Sequence, residues 1–246
     1  MPLNYLQVWI GTKPPESLRD NVTQLLSTID FKGGDTYTLI GTENFISSED
    51  VNFIQIEEYL SLYPELNKII SKAEYANYLT DAQIRGIESS FIRFHYMSIN
   101  PNVLYLDLDV KITSLPYFDS NKTYFAYFGD PMYESELLEV QKVEEYYDGL
   151  GIDTSLLKSF TTRVKNKLRP NSCFDIFMIY NGSSVSMFSE FIEHARGFCH
   201  RGYDDSYVIP FSILDRLANT RFKDRIEVIP SEHFDHQSFT VSGRIS

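Results

Sequence analysis

A strand–helix–strand pattern in roughly the first forty residues constrains this chain most. Leu3-Asn4-Tyr5-Leu6-Gln7-Val8-Trp9-Ile10 is a mostly apolar run ended by Gly11 and Pro14-Pro15, which reads as a buried strand. A helix starting near Glu16 follows, with Leu18, Val22, Leu25, Leu26 and Ile29 at helical spacing. Asp30 to Gly34 is a turn, and Thr36-Tyr37-Thr38-Leu39-Ile40, closed by Gly41, is a β-branched and aromatic strand. A strand pair joined by a helix demands a parallel sheet, and so an α/β class.

The remaining pattern extends that unit. Short helices are expected over 57–62 and 65–73, separated by Pro64. A longer one starts at Thr80 or Asp81 and carries Ile84, Ile87, Phe91, Phe94 and Met97 on one face. Asn100-Pro101-Asn102 ends it, and Val103-Leu104-Tyr105-Leu106 is a second buried strand. Strands are also expected at 124–128, 174–180 and 226–229, and helices near 185–195 and 205–218. Residues 131–170 read as a helical insertion and a candidate acceptor lid, too short for a core of its own. The whole is expected to be one domain, residues 1–246, built on a mixed, mostly parallel sheet.

Composition narrows the function classes. At 246 residues, 43% hydrophobic and 15% aromatic, the chain can bury enough apolar area to exclude disorder. No run reaches the ~20 apolar residues of a membrane span, and Met1-Pro2-Leu3-Asn4-Tyr5 lacks the layout of a secretory signal. Cys173 and Cys199 form neither a metal-ligand spacing nor a disulfide framework, so the expected compartment is cytoplasmic. A net charge of −12 argues against gripping a nucleic-acid backbone, yet a small anionic substrate stays accessible through a divalent cation and local arginines.

Asp107-Leu108-Asp109 is the most informative stretch. It lies just past a buried strand, where open α/β sheets bind ligands. Alternation turns both carboxylates broadly one way, so they can share a hard cation, Mn²⁺ or Mg²⁺, beside a diphosphate. The plainer alternative is a strand-ending turn with solvated aspartates. Two chemistries use the metal arrangement: sugar transfer from a nucleotide-sugar, and phosphoryl transfer of the haloacid dehalogenase type with Asp107 as nucleophile. The second normally places Thr or Val two residues after its second Asp, whereas position 111 is Lys, and it normally begins near its Asp-x-Asp.

Trp9-Ile10-Gly11 and Pro14-Pro15 resemble the opening "xxWIGxxxPP" of GT-A glycosyltransferases that carry a DxD sugar-binding region. That grouping includes capsular polysaccharide transferases and the glucosyltransferase domains of large bacterial toxins. Ile87-Glu88-Ser89-Ser90-Phe91-Ile92-Arg93-Phe94-His95-Tyr96, running on to Leu104-Tyr105-Leu106-Asp107-Leu108-Asp109-Val110, is similar to the same family's "KSDLLRYxxLxxxGGxYLDxDV". The resemblance covers about the first 110 residues well and implies a single GT-A-like, Rossmann-like domain. It implies a metal-dependent transferase moving a sugar from a nucleoside-diphosphate sugar, with retention of configuration, to a glycan, protein or modified nucleic-acid acceptor. A non-catalytic nucleotide-sugar-binding relative is the third class.

Carried over by position, the resemblance implies that Trp9, with Gly11 behind it, lies against the base. Arg93 would reach the donor near the diphosphate, Asp107 would contact ribose or sugar and share the metal, and Asp109 would bind the metal directly. Ser90 stands where the family has Asp, and Asn100-Pro101-Asn102 where it has Gly-Gly, so donor recognition and turn geometry are expected to differ. In the resembled folds an acidic residue opening a late helix faces the sugar or acceptor, which points to Asp205, then Asp204; both also suit a helix cap. A C-terminal loop closes the metal site there, and His236 or His233 is the candidate. Arg163, Lys165, Lys167 and Arg169 form a basic run that is either a solvated face or a receiver of an anionic acceptor.

Overall fold

The computed structural model describes residues 2–71, 81–127, 176–183, 185–200 and 209–236, with isolated positions between 141 and 158. In chain order these carry β1 (Asn4–Trp9), α1 (Glu16–Thr28), β2 (Thr36–Gly41), β3 (Val51–Gln55), α2 (Ile56–Leu62), α3 (Pro64–Ser71), α4 (Asp81–Ile99), β4 (Val103–Leu106), β5 (Val110–Ile112), β6 (Thr123–Tyr127), β7 (Ile176–Tyr180), α5 (Ser186–His200), α6 (Ile209–Asn219), β8 (Ile226–Val228) and β9 (Phe234–His236). Seven of the strands form one sheet in the order β3-β2-β1-β4-β7-β6-β8. β7 alone runs against its neighbours, so the sheet is mixed and mostly parallel, the α/β class expected from sequence. β5 and β9 form a separate two-stranded antiparallel pair.

Strand alternation sorts the apolar residues onto two faces. Leu6 and Val8 of β1, with Val103 and Tyr105 of β4, join one core cluster with residues of α2 to α6. Tyr5, Leu104 and Leu106 join the other, with Leu18, Val22 and Leu25 of α1. On the first face α4 and α5 pack through aromatic contacts. Phe94 of α4 meets Phe191 of α5 edge to face with ring centres 4.7 Å apart, and Phe91 lies 5.9 Å from the same ring. Of the expected inner face of α4, Ile87, Phe91, Phe94 and Met97 are buried and Ile84 is half-buried.

Chain order makes a topological switch point between β1 and β4. From β1 the chain passes through α1 to β2 on one side, then to β3; α4 brings it back to β4 on the other side of β1. In such sheets a crevice opens at the carboxyl ends of the two strands.

Three strands add to the sequence reading. β3 and β5 were not among the strands read from sequence, since Val51-Asn52-Phe53-Ile54-Gln55 is a half-exposed edge strand without a continuous apolar run and Val110–Ile112 has only three residues. Residues 234–236, expected as a loop, are the strand β9. The insertion 131–170 lies almost wholly outside the described residues, as do the expected helix start at 205 and the cysteine at 173.

Candidate functional site

The two aspartates sit on a turn braced from three directions. Val110 N–H donates to the Asp107 carbonyl at 3.2 Å, closing a turn that joins β4 to β5. Asp107 N–H donates to the Phe177 carbonyl on β7 at 2.9 Å. Gln7 Nε2 of β1 donates to the Asp107 carbonyl at 3.3 Å, and Gln7 Oε1 accepts from Tyr37 Oη at 2.6 Å, which orients the amide. Asn21 Nδ2 of α1 donates to the Leu108 carbonyl at 3.2 Å. Leu108 and Val110 are buried between the aspartates and beyond them, so Asp107 and Asp109 stay partly exposed at the head of a rigid support.

Alternation carries Asp107 to the same face as Tyr105, the face covered by α4. There Tyr105 Oη donates to Asp107 Oδ1 at 2.5 Å, and Arg93 Nη1 lies 3.5 Å from that same oxygen. The guanidinium is held between rings, 4.7 Å from the Tyr105 ring centre and 4.9 Å from that of Phe94. Arg93 is 6% exposed, and its Nε is buried with no hydrogen-bond partner among the described residues. Burial, reinforced by the Asp107 carboxylate, pushes the Tyr105 phenol far above its ordinary range, so it remains a neutral donor at working pH.

At the end of β1, Trp9 is half-buried against the α1-face core, and its Nε1 donates to the Thr12 carbonyl at 2.7 Å. Gly11 has φ +140°, a conformation that L side chains rarely adopt, and its N–H donates to Thr42 Oγ1 at 3.2 Å. The Thr42 hydroxyl donates back to the Gly11 carbonyl, clamping the loop. Ser90 is buried and donates to the Gly86 carbonyl of its own helix at 2.9 Å.

The C-terminal segment returns to this turn. β9 pairs antiparallel with β5, setting His236 opposite Val110, Asp235 opposite Lys111 and Phe234 opposite Ile112. The His236 backbone is thus across from the residue that follows Asp109, while its side chain lies outside the described residues. His233 Nδ1 is 2.8 Å from Ser114 Oγ, and its carbonyl accepts from Thr113 N–H at 2.9 Å, so this histidine also braces the strand pair. Asp204 and Asp205 lie outside the described residues, as do Arg163, Lys165, Lys167 and Arg169.

Among the described residues no three His, Cys, Asp or Glu side chains gather as a metal cluster. Two carboxylates on one turn nonetheless suit Mg²⁺ or Mn²⁺, which commonly takes one or two carboxylates and draws its other oxygens from phosphate and water. Sequence reasoning missed Tyr105, Gln7 and Asn21. Tyr105 was within reach, since it stands two residues before Asp107 on a strand and so shares its face; the two amides act on backbone atoms and left no signal.

No family model matches the chain, and no curated protein matches it. Among solved structures, mouse xyloside xylosyltransferase 1 in its apo form superposes with a TM-score of 0.51 at 10% identity, covering 94% of this chain and 86% of that one. Core-mannan synthase A from Aspergillus fumigatus, in an Mn/GDP form, gives a TM-score of 0.45 at 11% identity over 96% of this chain and 75% of its own. The GT-A-like fold expected from sequence is the fold observed. Among the described residues no helix is long and apolar enough to cross a membrane.

Proposed function

We propose that this protein is a metal-dependent glycosyltransferase that takes its sugar from a nucleoside-diphosphate donor and retains the anomeric configuration. One observation carries the reading: the braced Asp107-Leu108-Asp109 turn stands at the switch point between β1 and β4, with Arg93 and Tyr105 fixed on Asp107. Xylosyl transfer on a shared fold in the mouse enzyme adds support by analogy.

In this reading Asp109 and Asp107 hold Mn²⁺ or Mg²⁺ at the donor diphosphate. When bound, the cation stabilises the charge that develops on the departing diphosphate. The chain's own residues do the positioning. Tyr105 and Arg93 orient the Asp107 carboxylate, one by a hydrogen bond and the other by an ion contact to the same oxygen. We assign Trp9 and the Gly11 loop to the wall against which the nucleotide lies, and His236, whose backbone pairs with Val110, to the metal site. His233 serves the strand pair instead. Asp205, then Asp204, are the acidic residues we assign to the sugar or acceptor.

The same geometry disfavours phosphoryl transfer through Asp107. Asp107 Oδ1 accepts from Tyr105 and faces the Arg93 guanidinium, which leaves that oxygen less free to attack phosphorus. The test is incubation with a panel of UDP- and GDP-sugars, with and without Mn²⁺. Metal-dependent release of nucleoside diphosphate is the expected result. Hydrolysis of a phosphomonoester such as p-nitrophenyl phosphate, with no diphosphate released from the sugars, would overturn the reading in favour of a phosphatase, and binding without release would mark a non-catalytic relative.

A further inference from the structure

The crevice has a second arginine that the motif does not include. Arg85, Ser89 and Arg93 follow one another at four-residue spacing on α4 and so form a single row along the helix. The row is polar, whereas Ile87, Phe91 and Phe94 beside it are core. Its two ends differ. Arg93 is buried, and its charge is opposed by Asp107. Arg85 is exposed, and among the described residues it has no acidic partner. Eight residues of helix separate the two by about 12 Å, and α4 precedes β4, so Arg85 stands further out over the carboxyl ends of the strands.

Gly11 shows where that side chain goes. A Cβ built at Gly11 would lie 3.7 Å from Arg85 Cδ and 3.8 Å from its Nε, so the arginine stem lies across the loop that follows Trp9. This turn has φ +140°, closed to ordinary side chains, and its bare backbone gives the stem a surface to lie on. The guanidinium is thereby carried along the rim of the crevice, next to the proposed nucleotide wall.

We propose that Arg85 is a phosphate ligand for the donor, contacting the diphosphate from the side opposite Asp109. The inference rests on the nucleotide-sugar reading above. Its physical reason is charge. A diphosphate entering a chain of net charge −12 meets two aspartates on the turn, and Arg93 is already committed to one of them. An arginine without a carboxylate partner, at the rim, can form paired hydrogen bonds to phosphate oxygens and steer the anion inward.

Titration calorimetry of the full chain with UDP and with GDP, in Mn²⁺, tests this, with uridine and guanosine followed by ligand-observed NMR as controls. Arg85→Ala should weaken the diphosphate that the wild type binds by about 10- to 100-fold and leave its nucleoside unchanged. Arg85→Lys should fall between, because it keeps the charge but not the fork. Unchanged diphosphate affinity in Arg85→Ala, or an equal loss for the nucleoside, would overturn the role of Arg85 while leaving the donor site standing. A wild type that binds neither diphosphate would overturn both readings.

Discussion

At its amino end β4 leaves a turn in which a buried amide meets its neighbours on every side. Asn181 Oδ1 accepts from Val103 N–H at 2.8 Å, and its Nδ2 donates to the carbonyls of Met97 and Asn100 at 2.9 and 2.7 Å. Asn102, at φ 57°, donates its N–H to the Gly182 carbonyl and finishes the corner. The carboxyl end of the same short strand is built otherwise. There two partly exposed carboxylates crown a braced turn, and among the described residues Arg93 Nε is buried with no partner. Buried polar groups are normally satisfied. One end spends its polar groups on its own turn, whereas the other leaves two carboxylates partly exposed, and it is the second that we assign to a ligand.

Substitutions at the two ends should therefore fail in opposite ways. Asp109→Ala is expected to have the largest effect. Metal-dependent diphosphate release should drop on the order of 1,000-fold, while urea unfolding stays within about 0.5 kcal/mol of the parent. Near-normal turnover in this variant would erase the distinction between the ends. Asn181→Ala should do the reverse. It strands one buried N–H and two carbonyls and should cost about 3 kcal/mol in urea unfolding, with turnover per folded molecule preserved. Tyr105→Phe should have the smallest effect. It removes one hydrogen bond from Asp107 and should lower kcat/KM about fivefold, near 1 kcal/mol. A loss as large as that of Asp109→Ala would mean that Tyr105 touches substrate directly rather than positioning Asp107.

Much of this contrast was legible before any coordinates. β1, β2 and β4 are apolar runs buried on both faces, and such runs announce themselves through composition and bounding turns. Asp107 and Asp109 were visible for the same reason, because a buried strand cannot carry two carboxylates further. β3 was invisible because an edge strand buries only part of one face. β9 was invisible because three residues, Phe234 to His236, hold too little pattern to reveal pairing with a strand far away in the chain. The role of Asn181 was beyond sequence too, since its partners lie some eighty residues earlier. Arg93 lay between these cases: the family resemblance singled it out, but its place between two rings and beside Asp107 Oδ1 depends on the packing of α4 over β4.

The pairing of β5 with β9 has a consequence for how the chain comes to be active during its own synthesis. Asp107 and Asp109 leave the ribosome more than a hundred residues before the segment that lies beside them. A nascent chain can lay down β1 to β4 and even set the turn, since Gln7 and Asn21 are already present. It cannot yet own the strand that carries His236. Residues 234–236 can pair with 110–112 only once almost the whole described chain has been made, so under the proposed function donor turnover should begin only at that last pairing.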